Sequence, residues 1–222
     1  MNDGLKNEAQ DGINNETEIS LDGLIKSQTM LWRGNRKSHT SNQSIETGFE
    51  ELDRFLPTGG WPSNSLTEIV VEHWGNGEFQ ILLPLLVRVS QQSSPVVFIA
   101  PPHIPYAPAL ENAGVLLDKL IIIDDGINAN DLWWTAEKVL RHPECGMALI
   151  WPKNQNSRHT RRLQLAASTA KNPGFLFRCG TPIQSPAPLR IQLARSADCV
   201  TVHILKSRFG WQQNHSLSLN LT

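Results

Sequence analysis

The hydrophobic pattern of the chain, between residues 66 and 178, alternates between short apolar runs and longer amphipathic stretches. Short apolar runs bounded by turn residues are typical of strands, whereas apolar residues spaced three and four apart are typical of helices. Their alternation predicts βαβ units in an α/β domain with a mostly parallel sheet flanked by helices. The predicted strands are 66–71, 96–100, 120–123, 147–151 and 174–178, and the predicted helices are 49–56, 78–91, 106–113, 129–141 and 158–171.

Two details of the pattern add to this prediction. The runs Val96–Ile99 and Leu120–Ile123 are continuously apolar, so both strands are expected to be covered by helices on both faces. After residue 188, apolar and polar residues alternate in runs that no helical pattern separates. These runs predict an antiparallel extension at the C-terminal end of the sheet. They are 189–193, 199–205 and 215–221.

The N-terminal part of the chain is predicted to be an arm outside this domain. Residues 1–17 are polar and acidic and are expected to be disordered. Residues 20–31 can form a short amphipathic helix, which either caps its own domain or docks onto a partner. Leu24, Trp32 and Arg33 are the candidate contact residues of this arm. The predicted boundaries are 1–44 for the arm, 45–212 for the domain and 213–222 for an edge strand with a tail.

The net charge of −1 conceals a strongly basic C-terminal third. Residues 152–222 contain ten lysines and arginines, and Asp198 is their only acid. This asymmetry indicates either an anionic partner, such as nucleic acid or an acidic protein surface, or a basic face needed only for solubility. Arg158, Arg161 and Arg162 stand at the start of a predicted helix, where the helix dipole disfavours cations. They are therefore candidates for contact with an anionic partner, including weak binding of DNA.

The stretch 68–80 has the frame of a phosphate-binding loop without its chemical groups. An apolar strand pattern enters the turn Gly75-Asn76-Gly77, which opens into a helical pattern. In a working loop of the form G-x-x-x-x-G-K-[ST], the lysine contacts the β- and γ-phosphates and the hydroxyl holds magnesium. Glu78 and Phe79 occupy these two positions here. A carboxylate in place of the lysine replaces attraction by repulsion of about 4 kcal/mol at a separation of about 4 Å. The sequence therefore predicts no catalytic residue and no cofactor.

Other classes of protein are also disfavoured. Cys145, Cys179 and Cys199 are far apart and lack C-x-x-C spacing, so neither a disulfide framework nor a metal site is indicated. No run of eighteen apolar residues occurs, which predicts a soluble cytoplasmic protein without membrane association.

The order of the motifs resembles the RecA core over about residues 45–212. The motifs of that family that carry nucleotide chemistry are each replaced. The lysine position holds Glu78, the water-activating carboxylate falls near Pro102, and the magnesium-side aspartate falls near Trp151. Phosphoryl transfer needs placed cations and a group that orients water, so the resemblance implies a RecA-like fold without ATPase activity. The matching pieces are Thr47-Gly48-Phe49, Leu52-Asp53, Gly59-Gly60, the Glu68 strand with its loop, and the Val96 strand that leads to His103.

Lys206 and Arg208 match one further feature of the RecA-like proteins. At this position, RecA-like subunits present cations to the nucleotide of a neighbouring subunit, where they act like arginine fingers. The resemblance implies either that role towards an active neighbour, or a solvated pair that binds a phosphate backbone.

Within this superfamily the chain is similar to the ImuA/SulA family. The matched strings extend over about 180 residues and are specific as a set. They are Leu31-Trp32-Arg33-Gly34, Thr47-Gly48-Phe49, Gly59-Gly60-Trp61-Pro62, Ala100-Pro101-Pro102-His103, Pro105-Tyr106-Ala107-Pro108-Ala109-Leu110, Gly174-Phe175-Leu176-Phe177-Arg178 and Ile204-Leu205-Lys206-Ser207-Arg208.

The two branches of this family imply different functions. ImuA-like proteins are accessory factors of error-prone translesion DNA synthesis in the bacterial SOS response. Their partners are the polymerase homologue ImuB and an error-prone replicative-type polymerase, and RecA is a further candidate. SulA-like proteins instead inhibit cell division by binding FtsZ. SulA chains look shorter and lack the full Leu31-Trp32-Arg33 and Gly59-Gly60-Trp61-Pro62 region and the long basic end, so the ImuA role is favoured.

Overall fold

The computed structural model of the protein describes residues 44–124, 126–154, 156–181, 184–196, 199–209 and 216–220. The predicted helix at 20–31 and the candidates Leu24, Trp32 and Arg33 lie outside these residues. Among the residues described, no helix is both long enough and apolar enough to span a membrane.

The predicted alternation of strands and helices is present in the structure. The strands are β1 (Ser44–Ile45), β2 (Trp61–Pro62), β3 (Leu66–Val71), β4 (Val96–Ile99), β5 (Leu120–Ile123), β6 (Met147–Ile150), β7 (Gly174–Cys179), β8 (Leu189–Arg195), β9 (Cys199–Ser207) and β10 (Ser216–Asn220). The α-helices are α1 (Glu50–Phe55), α2 (Leu83–Gln91), α3 (Ala107–Asn112), α4 (Ala129–Arg141) and α5 (Ser157–Ala170), with 3-10 turns at Gln80–Leu82 and Leu117–Lys119.

Eight strands form one mixed sheet in the order β10-β9-β8-β3-β7-β6-β4-β5. The six strands from β8 to β5 in this order are parallel, and β9 and β10 join them in antiparallel pairs. The prediction of a mostly parallel sheet with an antiparallel C-terminal extension is confirmed. One detail is wrong, because the run 189–193 is parallel to β3 and the antiparallel part begins only with β9. Between β7 and β8 the chain crosses from one side of β3 to the other, which the periodicity of a strand cannot reveal.

Helices cover both faces of the central strands. On one face, Leu85 and Leu86 of α2 belong to the same buried cluster as Ile69 of β3. On the other face, Ala136 of α4 and Leu163 of α5 belong to a second cluster. All residues of β3, β4 and β6 are buried. Full burial of one large apolar side chain contributes about 1.5–3 kcal/mol, so these two clusters stabilise the fold that holds the loops at the sheet edge.

Strand β5 departs from the prediction. Among the described residues it pairs only with β4 and ends the sheet, and Ile121 and Ile122 are 47% and 39% exposed. The expectation of coverage on both faces is therefore confirmed for β4 and wrong for β5. A continuous apolar run shows that a strand can be buried, but its place in the sheet is set by contacts with strands far away in the sequence.

The segment before β3 is held against the start of α2 by close backbone packing. Gly48 has a φ of +91°, and a Cβ atom at this position would lie 2.3 Å from Cβ of Pro84. The backbone N–H of buried Thr47 donates to Oδ1 of Asp53 at 2.8 Å, which ties this turn to α1. The Thr47-Gly48-Phe49 motif therefore has a structural role beside the loop that follows β3.

Candidate functional site

The loop between β3 and α2 makes the predicted turn. Gly75 and Gly77 have φ values of +92° and +91°, in the left-handed region that favours glycine. The α-helix begins at Leu83, after a 3-10 turn, and not at residue 78 as the pattern predicted. Pro84 in the first turn of α2 suits a helix start, because its missing N–H would have no helical partner there.

Glu78 closes this loop on itself. Its Oε1 accepts a hydrogen bond of 2.8 Å from the backbone N–H of Gly75, and the residue is only 8% exposed. The second carboxyl oxygen, Oε2, is buried and has no hydrogen-bond partner in the described structure. The carboxylate therefore occupies a backbone donor of the turn itself. This contact is a finding of the structure, since the sequence predicted only the loss of the lysine.

A cavity of about 510 Å³ opens beside the loop at the carboxyl edge of the sheet. Its walls come from the loop after β3, the segment after β4 with the first residues of α3, and Trp151 after β6. The carboxyl ends of parallel strands are where open α/β sheets bind ligands. We call this space the carboxyl-edge cavity. It is lined by Trp74, Gly75, Glu78, Phe79, Gln80, Leu83, Pro101, Pro102, His103, Ile104, Pro105, Tyr106, Ala109, Leu110 and Trp151.

The three positions at which the resemblance to the RecA core implied a replaced chemical group meet in this cavity. Glu78, Pro102 and Trp151 all contribute to its lining, although they are far apart in the sequence. In the sequence these three residues were singled out one by one, and in the structure they line the same cavity. Their common result is a site whose wall is mainly apolar.

Aromatic rings build the inner wall of the carboxyl-edge cavity. Trp151 stacks on Phe177 with ring centroids 4.4 Å apart, and its ring lies 5.6 Å from that of Phe98. Phe79 meets the same Phe98 ring edge to face at 5.6 Å. At the mouth, Ile104 and Tyr106 are 79% and 73% exposed. The cavity thus has a packed aromatic floor and an apolar rim that is open to solvent.

A second site is formed where buried Glu68 of β3 meets arginines from the neighbouring strands. Arg190 Nη2 donates to Glu68 Oε1 at 3.2 Å, and Arg178 Nη1 lies 3.9 Å from the same oxygen. Lys206 stands opposite Arg190 in the pairing of β8 with β9. We call Arg178, Arg190, Lys206 and Arg208 the basic row. The sequence signal for this site was Glu68, a charged residue within the apolar strand pattern 66–71. The pattern did not indicate that Arg178 and Arg190 would be its partners.

The cations of the basic row act on one another and on buried Glu68. Burial lowers the pKa of the Lys206 ammonium, Arg208 and Arg190 lower it further by repulsion, and Glu68 acts in the opposite direction. Burial also lowers the pKa of Arg178, which Glu68 raises and Arg190 lowers. These directions follow from placing several cations around one buried carboxylate.

The side chains of Lys206 and Arg208 have different surroundings. The Lys206 Nζ donates to the carbonyl oxygen of Ser185 at 2.7 Å, so this side chain is tied to its own chain. Arg208 is exposed, and its backbone N–H donates to the carbonyl of Pro188 at 2.9 Å. The role of the two cations towards a neighbouring nucleotide stays a prediction, and Arg208 is the member that faces solvent.

The arginines at the start of α5 also separate into two groups. Asn156 caps the helix, since its Oδ1 accepts the N–H of His159 at 2.9 Å. Arg162 forms an ion pair with Glu137 of α4 and so contributes to the packing of the two helices. Arg158 and Arg161 are exposed, which leaves them as the members of the cluster available to a partner.

Among the described residues, no group of three or more His, Cys, Asp or Glu side chains is placed so that it could hold a metal ion. Cys145, Cys179 and Cys199 are free thiols. Burial raises the pKa of the Cys145 thiol to about 12, which makes this side chain a poor nucleophile.

No protein-family model matches the chain, and no curated protein is significantly similar to it.

Proposed function

We propose that the protein is a non-enzymatic adaptor of the bacterial SOS DNA-damage response, an accessory factor of translesion DNA synthesis that acts through protein–protein contacts. The observation that carries this proposal is the hydrogen bond between Gly75 N–H and Glu78 Oε1, by which the protein's own carboxylate occupies a backbone donor of the loop. The proposal combines this geometry with the resemblance of the chain to ImuA-like proteins.

The carboxyl-edge cavity supports the loss of ATPase activity. A triphosphate entering it would meet the carboxylate of Glu78 instead of a lysine, and apolar side chains at Pro102 and Trp151. Moving a charged group into apolar surroundings without a paired counter-charge is strongly unfavourable. The water-orienting and metal-binding groups of phosphoryl transfer are also replaced at these positions.

The layout of the sheet supports a RecA-like origin of the domain. The loop lies at the carboxyl end of β3, a strand inside the sheet, and the next strand in the chain, β4, lies beyond β7 and β6. Helices on both faces of the sheet are compatible with the layout of a nucleotide-binding α/β fold.

The charged surfaces of the C-terminal third support an adaptor. Arg158, Arg161 and Arg208 are exposed and suit contacts with an acidic protein surface or with a phosphate backbone. The resemblance names an ImuB-like polymerase homologue and an error-prone replicative-type polymerase as partners, with RecA as a further candidate.

A nucleotide titration tests the first half of the proposal. A fluorescent ATP analogue with Mg²⁺ is titrated into the native protein and into the double variant Glu78→Lys, Phe79→Thr, which restores the lysine and the hydroxyl of a working loop. We expect no saturable binding by the native protein at millimolar nucleotide. Micromolar binding by the native protein would overturn the statement that the loop is inactive.

Affinity capture under DNA-damaging conditions tests the second half. The tagged full-length chain is expected to retain the ImuB-like polymerase homologue, and failure to retain either this homologue or RecA would overturn the translesion role. The same strain reports on the alternative. Filamentous growth on overexpression, together with reduced assembly of purified FtsZ, would assign the protein to cell-division inhibition.

A further inference from the structure

One face of the sheet is uncovered at its C-terminal end. The apolar residues of β8, β9 and β10 belong to the first buried cluster, and none of their described residues belongs to the second cluster, which α4 and α5 form. Residues directly opposite each other in a ladder lie on the same face of a sheet. The pairings therefore define an open face on the side of α5, in which Ala194, His203, Ser216 and Ser218 are exposed. Its residues are Arg190, Gln192, Ala194, Thr201, His203, Ser216 and Ser218.

The basic row lies on this open face, beside α5. Arg190 stands opposite Glu68 of β3 on one side and opposite Lys206 of β9 on the other. Arg178 of β7 shares the face, because it pairs with the residue two positions after Glu68. The row thus crosses four adjacent strands, and at a strand spacing of about 4.8 Å its backbone width is about 14 Å.

Lys206 and Arg208 are the members of the row that an external anion can reach. The side chains of Arg178 and Arg190 are only 17% and 8% exposed and lie beside Glu68. The Lys206 ammonium has three donors and gives one to the carbonyl of Ser185. Arg208 is exposed, and within the described residues no carboxylate is recorded as an ion-pair partner of Lys206 or Arg208. An anion beside these two cations would offset their mutual repulsion.

An exposed apolar side chain stands next to these cations. Arg190 pairs with Lys206 and Ile191 pairs with Ile204, so Leu205 is the extra residue of a β-bulge. Bulges change the direction of a side chain, and Leu205 is 37% exposed. The surface therefore offers two cations and one apolar contact within four consecutive residues.

We infer that the basic row and the adjoining open face bind an acidic, extended segment of a partner protein. Alternate side chains of an extended chain lie on one side about 7 Å apart, so carboxylates two residues apart fit within the width of the row. Arg208 can hold a carboxylate through two parallel hydrogen bonds. An apolar side chain of the same segment would cover Leu205.

Two observations favour a polypeptide over a nucleic acid at this surface. Single-stranded nucleic acids bind protein surfaces through bases stacked on aromatic rings, and the open face has no Phe, Tyr or Trp among its described residues. Leu205 offers no contact that a phosphate backbone needs, whereas apolar side chains are common in the centre of protein interfaces. Charge alone would suit carboxylate and phosphate equally.

Binding of model peptides to the full chain tests this inference, which rests on the proposed adaptor function because it names the chemistry of the partner. The probe is a fluorescein-labelled nonapeptide with glutamate at alternate positions and a central leucine, followed by fluorescence anisotropy. We expect saturable binding, which weakens at least about tenfold when every glutamate is replaced by glutamine. Replacing the leucine by serine is expected to weaken binding about fivefold, because the contact with Leu205 is lost.

Three variants locate the site. Arg208→Gln changes an exposed side chain and is expected to weaken the acidic peptide about threefold, as for one exposed ion pair. The double variant Lys206→Gln, Arg208→Gln is expected to weaken it about tenfold. Arg54→Gln is the matched control, because it removes an exposed arginine from α1, which packs on the opposite face of the sheet, and is expected to leave binding unchanged. Urea denaturation of Arg208→Gln checks that the fold is intact.

Three results would overturn the inference. These are equal affinity for the glutamate and glutamine peptides, unchanged binding by Arg208→Gln, and tighter binding of a labelled DNA duplex or single strand that Arg208→Gln weakens, which would assign the surface to a phosphate backbone. If affinity capture succeeds equally with Arg208→Gln, the adaptor function stands and this surface is not its contact. If capture fails while the acidic peptide binds as expected, the peptide site stands and the translesion role is wrong.

Discussion

The carboxyl-edge cavity and the basic row each contain or border a buried glutamate, and they differ in the groups that meet its carboxylate. Glu68 is completely buried and meets Arg190 and Arg178, with Lys206 beside them. Glu78 accepts one bond from a backbone N–H and lines the cavity together with aromatic and proline residues. Glu68 has arginines beside its Oε1, whereas Glu78 Oε1 meets a backbone N–H, and the Oε2 atom of each is buried without a hydrogen-bond partner in the described residues. The two regions therefore differ in the charge that meets the carboxylate and not in the satisfaction of its second oxygen.

The largest effect expected from this difference is on stability at Glu68. Glu68→Leu removes the buried carboxylate that Arg190 and Arg178 meet, and removing one partner of a buried pair costs about 3–5 kcal/mol. The free energy of unfolding, measured by urea denaturation, is expected to fall by this amount. The double variant Glu68→Leu, Arg190→Leu is the control and is expected to recover part of the loss. A loss below about 1 kcal/mol in the single variant would contradict a buried ion pair.

A smaller loss is expected at Glu78. Glu78→Ala removes the acceptor of Gly75 N–H but also removes the unsatisfied oxygen Oε2, so the two changes partly cancel. We expect the free energy of unfolding to fall by about 1 kcal/mol, near the net value of one hydrogen bond. The same urea experiment measures it. A loss as large as that of Glu68→Leu would make the cavity glutamate a structural residue and would remove the contrast between the two regions.

The exposed arginines of α5 provide a test that depends on salt. If the adaptor contacts DNA, each phosphate that a cation neutralises contributes about −0.9 to the slope of log affinity against log salt. Arg158→Gln and Arg161→Gln are each expected to make this slope less steep by about that amount, because both side chains are exposed. Fluorescence anisotropy with a labelled duplex measures the slope. Lys171→Gln, at the opposite end of the same helix, is the control, and equal slopes in all variants would exclude this surface.

The smallest expected effect is on the titration of His159. Burial lowers the pKa of this imidazole, and Arg162 and Arg158 lower it further by repulsion. The unfolded chain therefore binds more protons between the lowered and the ordinary pKa, so the free energy of unfolding decreases as the pH falls through that interval. Arg158→Gln is expected to raise the pKa slightly, which a proton resonance titration measures. A lower pKa in this variant would contradict the repulsion.

The elements of the fold could be predicted because each depends on neighbouring residues. The strands at 66–71 and 120–123 and the helix at 129–141 have the predicted bounds, since periodicity and end signals are local. The place of a strand in the sheet is not local. Leu120–Ile123 has the apolar composition of an inner strand but lies at the edge, and 189–193 is parallel to β3 although it follows the pattern of the antiparallel part.

The sites could be predicted only where they depend on neighbouring residues, and not where they depend on contacts between residues far apart in the sequence. Replacement of the lysine by Glu78 is visible in the sequence, but the bond that this residue makes to Gly75 depends on the path of the turn. The contact between Glu68 and Arg190 joins residues 122 positions apart, and no motif relates them. The arginine cluster at the start of α5 was visible, whereas the pairing of Arg162 with Glu137 required the packing of two helices.

The exposed edge of β5 also has a consequence for the behaviour of the protein at high concentration. Its outer backbone groups and the side chains of Ile121 and Ile122 form a template on which extended chains can aggregate. Asp118, Lys119 and Asp124 flank the strand and act as gatekeepers, because charges at the ends of an apolar segment oppose intermolecular stacking. We expect high salt, which screens these charges, to weaken that protection.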